Sequence, residues 1–124
     1  GRTLQAEKLE NYWLDNNKRY YGEALTVDKE LASEWSRIPH FYTPFYVYKY
    51  ATGYSAATAF AASILKGEEG AVEKYLDFLH AGGSDYSINI LKNAGVDLNT
   101  PQPVTVTLQK FAEKVAELKK LLGK

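Results

Sequence analysis

The chain is 124 residues long, 45% hydrophobic and 14% aromatic, which suits one domain with a core of its own. Fifteen basic and fifteen acidic side chains cancel, so charge gives no reason to expect nucleic acid, an anionic membrane or a polyanionic partner. Cysteine is absent, which excludes disulfides and thiolate metal sites and agrees with a reducing, cytoplasmic compartment.

In chain order the apolar spacing predicts one helix after another. The first runs from Leu4 to Tyr21, with Leu9, Tyr12 or Trp13, Asn16 or Asn17, and Tyr20 inward, Thr3 as N-cap and Gly22 as the stop. Asp28 caps a short helix over Lys29–Arg37 that turns Leu31 and Trp35 inward, and Pro39 ends it by pushing the residue before it out of the helical region.

The central stretch, Ile38 to Leu65, carries five of the ten tyrosines and, between Phe41 and Leu65, the single formal charge of Lys49. A helix starting near Pro44 and running to Gly67 would be apolar or hydroxylated all round, and so surrounded by protein on most sides. Gly53, Ala57 and Ala61 would give it one smooth flank for a close neighbour. Lys49, the tyrosines and several hydroxyls make this run a poor lipid-facing surface, and no signal-peptide pattern precedes it.

Downstream, Gly67 and Gly70 bracket a turn, Ala71 to His80 is amphipathic, and Gly82-Gly83 breaks the chain before a short helix over Tyr86–Asn93 closed by Gly95. Val104 to Leu122 forms the last helix, with Leu108, Phe111, Val115, Leu118 and Leu122 at 3–4 spacing. The expectation is an all-α bundle of six helical segments with no strand and no internal repeat. The opening on Gly1 and the lack of methionine suggest a piece of a longer polypeptide or an edited chain.

No self-contained catalytic motif occurs: HExxH, CxxC, GxSxG and a phosphate-binding glycine loop are all missing. Glu7 with Glu10 and Glu68 with Glu69 lie on faces expected to be solvated, and His80 suits the C-terminal end of a helix dipole. Gly82-Gly83-Ser84 has the make-up of an anion cradle, but with no basic residue nearby it reads first as an inter-helix loop. His40 differs, because it follows a helix-breaking proline and leads into the tyrosine cluster. Neutral imidazole and phenol hydroxyls can stabilise a developing oxyanion without adding a full charge. Tyrosine-rich helices also serve as core or interface, so the residues alone leave both readings open.

A more specific pattern lies in the order of short blocks. Pro39-His40-Phe41-Tyr42, then Phe45-Tyr46-Val47-Tyr48-Lys49-Tyr50-Ala51-Thr52-Gly53, then Ala71-Val72-Glu73-Lys74-Tyr75-Leu76, Ala81-Gly82-Gly83-Ser84 and Ala94-Gly95-Val96-Asp97-Leu98 follow one another. This series resembles the C-terminal end of the oligoendopeptidase F group of the thimet-oligopeptidase-like zinc metallopeptidases, over about Leu4 to Leu122.

The resemblance implies a large, almost wholly helical enzyme that cleaves short peptides in an enclosed channel. It places the zinc on an upstream HExxH helix and a following glutamate, neither of which this chain contains. It also implies that a histidine and tyrosines of this region hydrogen-bond the scissile carbonyl and the tetrahedral oxyanion. On this chain His40 matches the substrate-binding histidine and Tyr48 the oxyanion-stabilising tyrosine, with Tyr42 and Tyr46 as further substrate-binding candidates. Tyr46 and Tyr48 would lie about 200° apart on one helix, so both can face one site only if the helix starts after Tyr46.

The partners so implied are a short peptide and the upstream remainder of the peptidase, with self-association expected of exposed apolar surface. The 124 residues alone are expected to hold no zinc and to lack activity. The competing expectation is a non-catalytic helical scaffold or a module that binds peptides or partner helices.

Overall fold

The computed structural model describes residues 3–124. Among them the fold is all-α: helices α1 (Ala6–Tyr21), α2 (Tyr48–Leu65), α3 (Ala71–Ala81), α4 (Ser87–Asn93) and α5 (Gln102–Leu121), with 3₁₀ helices over Lys29–Arg37 and Pro39–Tyr42 and no strand. The residues form two compact units, one ending at Val47 and one beginning at Tyr48.

In the first unit α1 packs against the longer 3₁₀ helix. Of Tyr12 and Trp13 it is Trp13 that is half-buried, along with Leu9 and Leu14, and it meets Phe41 edge-on at 5.6 Å. Tyr20, expected inward, is exposed, and the helix starts at Ala6 after Gln5 with no side-chain cap from Thr3. The stop at Gly22 is as expected: its φ of 71° lies in the left-handed region that glycine adopts without a Cβ clash.

Lys29–Arg37 winds more tightly than an α-helix. The hydroxyls of Ser33 and Ser36 donate to the carbonyls of Glu30 and Ser33, three residues back, a spacing that belongs to the 3₁₀ ladder. Glu34 and Arg37 pair along it. Neither buried indole N–H, of Trp13 or of Trp35, has an acceptor among the described residues.

The central helix begins at Tyr48, four residues after the expected start at Pro44. Phe45 explains the delay, because its φ of 58° is left-handed and cannot continue into a right-handed helix. The following Tyr46 and Val47 are weak helix formers that do nothing to extend the helix backward.

In the second unit α2 packs against α5 and α3, and α3 against α4. The core is small: Ala56, Ala59, Phe60 and Val96, with Tyr75, Phe78, Leu91, Ala94 and Leu98 packed around them. Phe60 sits between the rings of Tyr75 at 5.4 Å and Phe78 at 5.3 Å, an aromatic triad that joins α2 to α3. The expectation that protein would surround α2 on most sides is not met within these residues. Its buried positions are Ser55, Ala56, Ala59 and Phe60, while the flank of Gly53, Ala57 and Ala61 is exposed.

The turn after α4 closes through Gly95, whose φ of 98° lets the Val96 N–H reach the Leu91 carbonyl at 2.9 Å. Asp97 then organises the connection to α5. Its carboxylate accepts from Lys92 Nζ at 2.9 Å and from both the backbone N–H and the side-chain amide of Asn99 at 3.0 Å. Those two donors, Lys92 first and the Asn99 N–H second, hold its pKa below the ordinary carboxylate value.

Candidate functional site

Each candidate side chain is placed by the break that Pro39 and Phe45 make in helical structure. His40 and Tyr42 lie on the short 3₁₀ turn Pro39–Tyr42, and both are exposed. Tyr46 is half-buried in the turn segment between that 3₁₀ turn and α2, and its ring stacks on the His40 imidazole with centroids 5.4 Å apart and planes 28° from parallel. The stack fixes the plane of the imidazole and leaves ring edges to carry polar contacts.

Tyr42 is anchored differently, since its hydroxyl donates to the Ser36 carbonyl at 2.7 Å. That bond ties the 3₁₀ turn back to the longer 3₁₀ helix. It also commits the only proton the phenol has to give.

Tyr48 opens α2 in the second unit and is 57% exposed. It stands at a cleft of about 820 Å³ whose walls include Thr52 and Phe60 from α2, Tyr75 and Phe78 from α3, and Ile88 from α4. The late start of α2 removes the 200° conflict between Tyr46 and Tyr48, because Tyr46 is not helical. Within the first unit the structure thus brings His40 and Tyr46 together. Tyr48 belongs to the other unit, with the cleft as its setting. The aromatic far wall, Tyr75 and Phe78, was not legible as part of a site. No sequence spacing joins it to Tyr48, and only the packing of α3 on α2 brings it there.

The loop at Gly82-Gly83-Ser84 borders a smaller hollow of about 370 Å³ that Lys74, Asp77 and Asp85 share. Two carboxylates there argue against an anion cradle. Among the described residues no group of three or more His, Cys, Asp or Glu side chains could hold a metal ion. The chain's two histidines, His40 and His80, fall in different units. The donor set does not fit a zinc site.

The geometry leaves open what such an exposed imidazole and phenol serve, and comparison with other proteins narrows it. The model of peptidase family M3 matches residues 1–110. The chain belongs to peptidase family M3. Across all 124 residues it is 51% identical to oligopeptidase PepF of Bacillus subtilis (strain 168), of which it spans 18%. It is 39% identical, again over its full length, to group B oligopeptidase PepB of Streptococcus agalactiae, spanning 21% of that protein. Among solved structures, oligoendopeptidase-F from Enterococcus faecium superimposes with a TM-score of 0.92 at 42% identity, over 99% of this chain and 24% of that one. This M3 chain therefore spans about a fifth of the length of the curated relatives it matches. No helix among its described residues is long and apolar enough to cross a membrane.

Proposed function

We propose that this M3 chain supplies the substrate-facing side of a zinc-dependent oligoendopeptidase acting on short peptides. Tyr48 and His40 recognise the scissile carbonyl and the oxyanion that forms from it; Tyr46 orients His40, and Tyr42 is a secondary substrate contact. Family membership over residues 1–110 is the observation that carries this reading. Two local features support it. His40 and Tyr48 are exposed, as groups that must meet a substrate have to be, and Tyr48 stands at the mouth of the second unit's cleft.

Peptide-bond hydrolysis passes through a tetrahedral species whose negative charge gathers on the former carbonyl oxygen. A phenol O–H and an imidazole N–H held in place donate to that oxygen more strongly than to the neutral carbonyl, so they lower the barrier and not merely the binding energy. Tyr46 stacked on His40 restricts the imidazole before substrate arrives, which reduces the ordering cost of that contact. The described residues do not form a metal site, so this reading puts the zinc on polypeptide outside them.

The test uses a chimera in which these 124 residues replace the matched segment of the Bacillus subtilis relative. There Tyr48→Phe, which removes one hydroxyl and keeps the ring, should lower kcat by about 10²–10³. Bound zinc and the thermal midpoint should stay as they were. A chimera whose turnover survives the substitution removes Tyr48 from the mechanism.

A further inference from the structure

A peptide that presents its scissile carbonyl to Tyr48 brings the side chain of the same residue with it, because that side chain leaves the backbone at the Cα bonded to the carbonyl carbon. Whatever adjoins Tyr48 therefore meets that side chain. What adjoins it is the cleft of about 820 Å³, which lies wholly within the second unit. Its volume falls inside the range of roughly 300–1,000 Å³ that ligand sites occupy.

The walls favour one class of occupant. Tyr75, Phe78, Ile88 and Leu98 line the cleft, and among the described lining residues Lys49 is the one charged side chain. The hydroxyl of Thr52 is already committed inside α2, where it donates to the Lys49 carbonyl at 3.0 Å. A cationic side chain would meet the Lys49 ammonium with no carboxylate in the lining to offset it. An acidic one would exchange water for walls that are mostly hydrocarbon. An apolar side chain meets neither cost and gains by leaving water.

The aromatic wall is also ordered in advance. Phe60 is buried and holds Tyr75 at 5.4 Å and Phe78 at 5.3 Å, and those two rings stack on each other at 6.2 Å. Rings fixed in this way lose little further freedom when an apolar group settles against them. The smaller hollow beside Gly82-Gly83-Ser84 has no such preference, since Lys74, Asp77 and Asp85 line it.

We infer that this cleft is a specificity pocket for the residue that supplies the scissile carbonyl, and that it takes a bulky apolar side chain, aromatic above all. The inference rests on the placing of Tyr48 at that carbonyl and extends it to the substrate's side chain. Ile88 of α4 offers the handle for testing it: it lines the cleft, is 41% exposed and lies outside the Phe60 cluster, so a larger side chain there can narrow the cleft without disturbing the core.

The test uses the chimera with the Bacillus subtilis relative and a set of peptides that differ only at the residue before the scissile bond, which is Ala, Leu, Phe, Lys or Asp. kcat/KM should rise from Ala through Leu to Phe by about 10–10²-fold, with Lys and Asp no better than Ala. Ile88→Trp should lower the Phe-to-Ala ratio about tenfold, with the thermal midpoint unchanged. Tyr48→Phe should lower turnover on every peptide by one common factor and keep that ratio. A chimera that shows no preference for Phe over Ala overturns the inference without any variant. So does an Ile88→Trp chimera whose ratio is unchanged; if its midpoint also falls, the cleft is filled by the enzyme's own chain. A ratio that shifts with Ile88→Trp while Tyr48→Phe leaves turnover intact keeps the pocket and removes the role given to Tyr48.

Discussion

Phe45 is where local preference and the chain's actual path disagree most. A bulky residue at φ 58° is uncommon, and this one leaves its ring 88% exposed, so no burial within the chain offsets the backbone cost. The left-handed conformation costs a non-glycine residue about 1–2 kcal/mol, of which the greater freedom of glycine in the unfolded state returns about 0.5–1. Phe45→Gly should therefore stabilise the isolated chain modestly, by about 0.5–1 kcal/mol in urea unfolding. A lower midpoint would mean that the ring makes a contact worth more than the strain. The same residue sets apart two aromatic neighbours that look alike in sequence: Tyr46 lies before α2, stacked on His40, and Tyr48 is its first residue.

At the scale of elements, the connection between α4 and α5 depends on one carboxylate. Asp97 holds Lys92 on one side and Asn99 on the other, and both donors favour its charged form. A carboxyl whose folded pKa is depressed contributes stability above its unfolded pKa and loses that contribution as pH falls through the folded value. Unfolding midpoints should accordingly fall as the solution is acidified below about pH 4. Asp97→Asn should lower the midpoint at neutral pH and flatten that acid limb. A limb equally steep in the variant would assign it to other carboxylates, of which Glu68 and Glu117 are likewise held below the ordinary value by hydrogen bonds.

Across the whole molecule, the core is too slight for the apolar surface around it. Among the described residues its buried hydrophobic side chains are Ala56, Ala59, Phe60, Ile90 and Val96, with Pro103 beside them, against a much longer roster of exposed Leu, Tyr and Phe. The stability of this M3 chain rests on that core and on helix ladders, with no group of metal-binding side chains among the described residues to supplement them. A strong chelator should therefore leave its thermal midpoint unchanged. A chelator-sensitive midpoint, with stoichiometric zinc by metal analysis, would show a site that these side chains do not form.

Periodicity and punctuation in the chain already determined an all-α fold, the stops at Gly22 and Gly95, and the place of α3, α4 and α5 to within a residue or two, because these depend on interactions within a turn or two of helix. The roles proposed for His40 and Tyr48 rest instead on the resemblance of the chain's blocks to the family, because periodicity does not distinguish a site tyrosine from a core one. Tertiary structure decided what depends on distant partners: the 3₁₀ winding of Lys29–Arg37, the late start of α2 behind a left-handed Phe45, and the arrival of Tyr75 and Phe78 beside Tyr48. It also decided which apolar faces are covered. The stripe on α5 and the flank of Gly53, Ala57 and Ala61 have the spacing of buried faces yet lie open, because a helix's period records that a face should be buried but not what buries it.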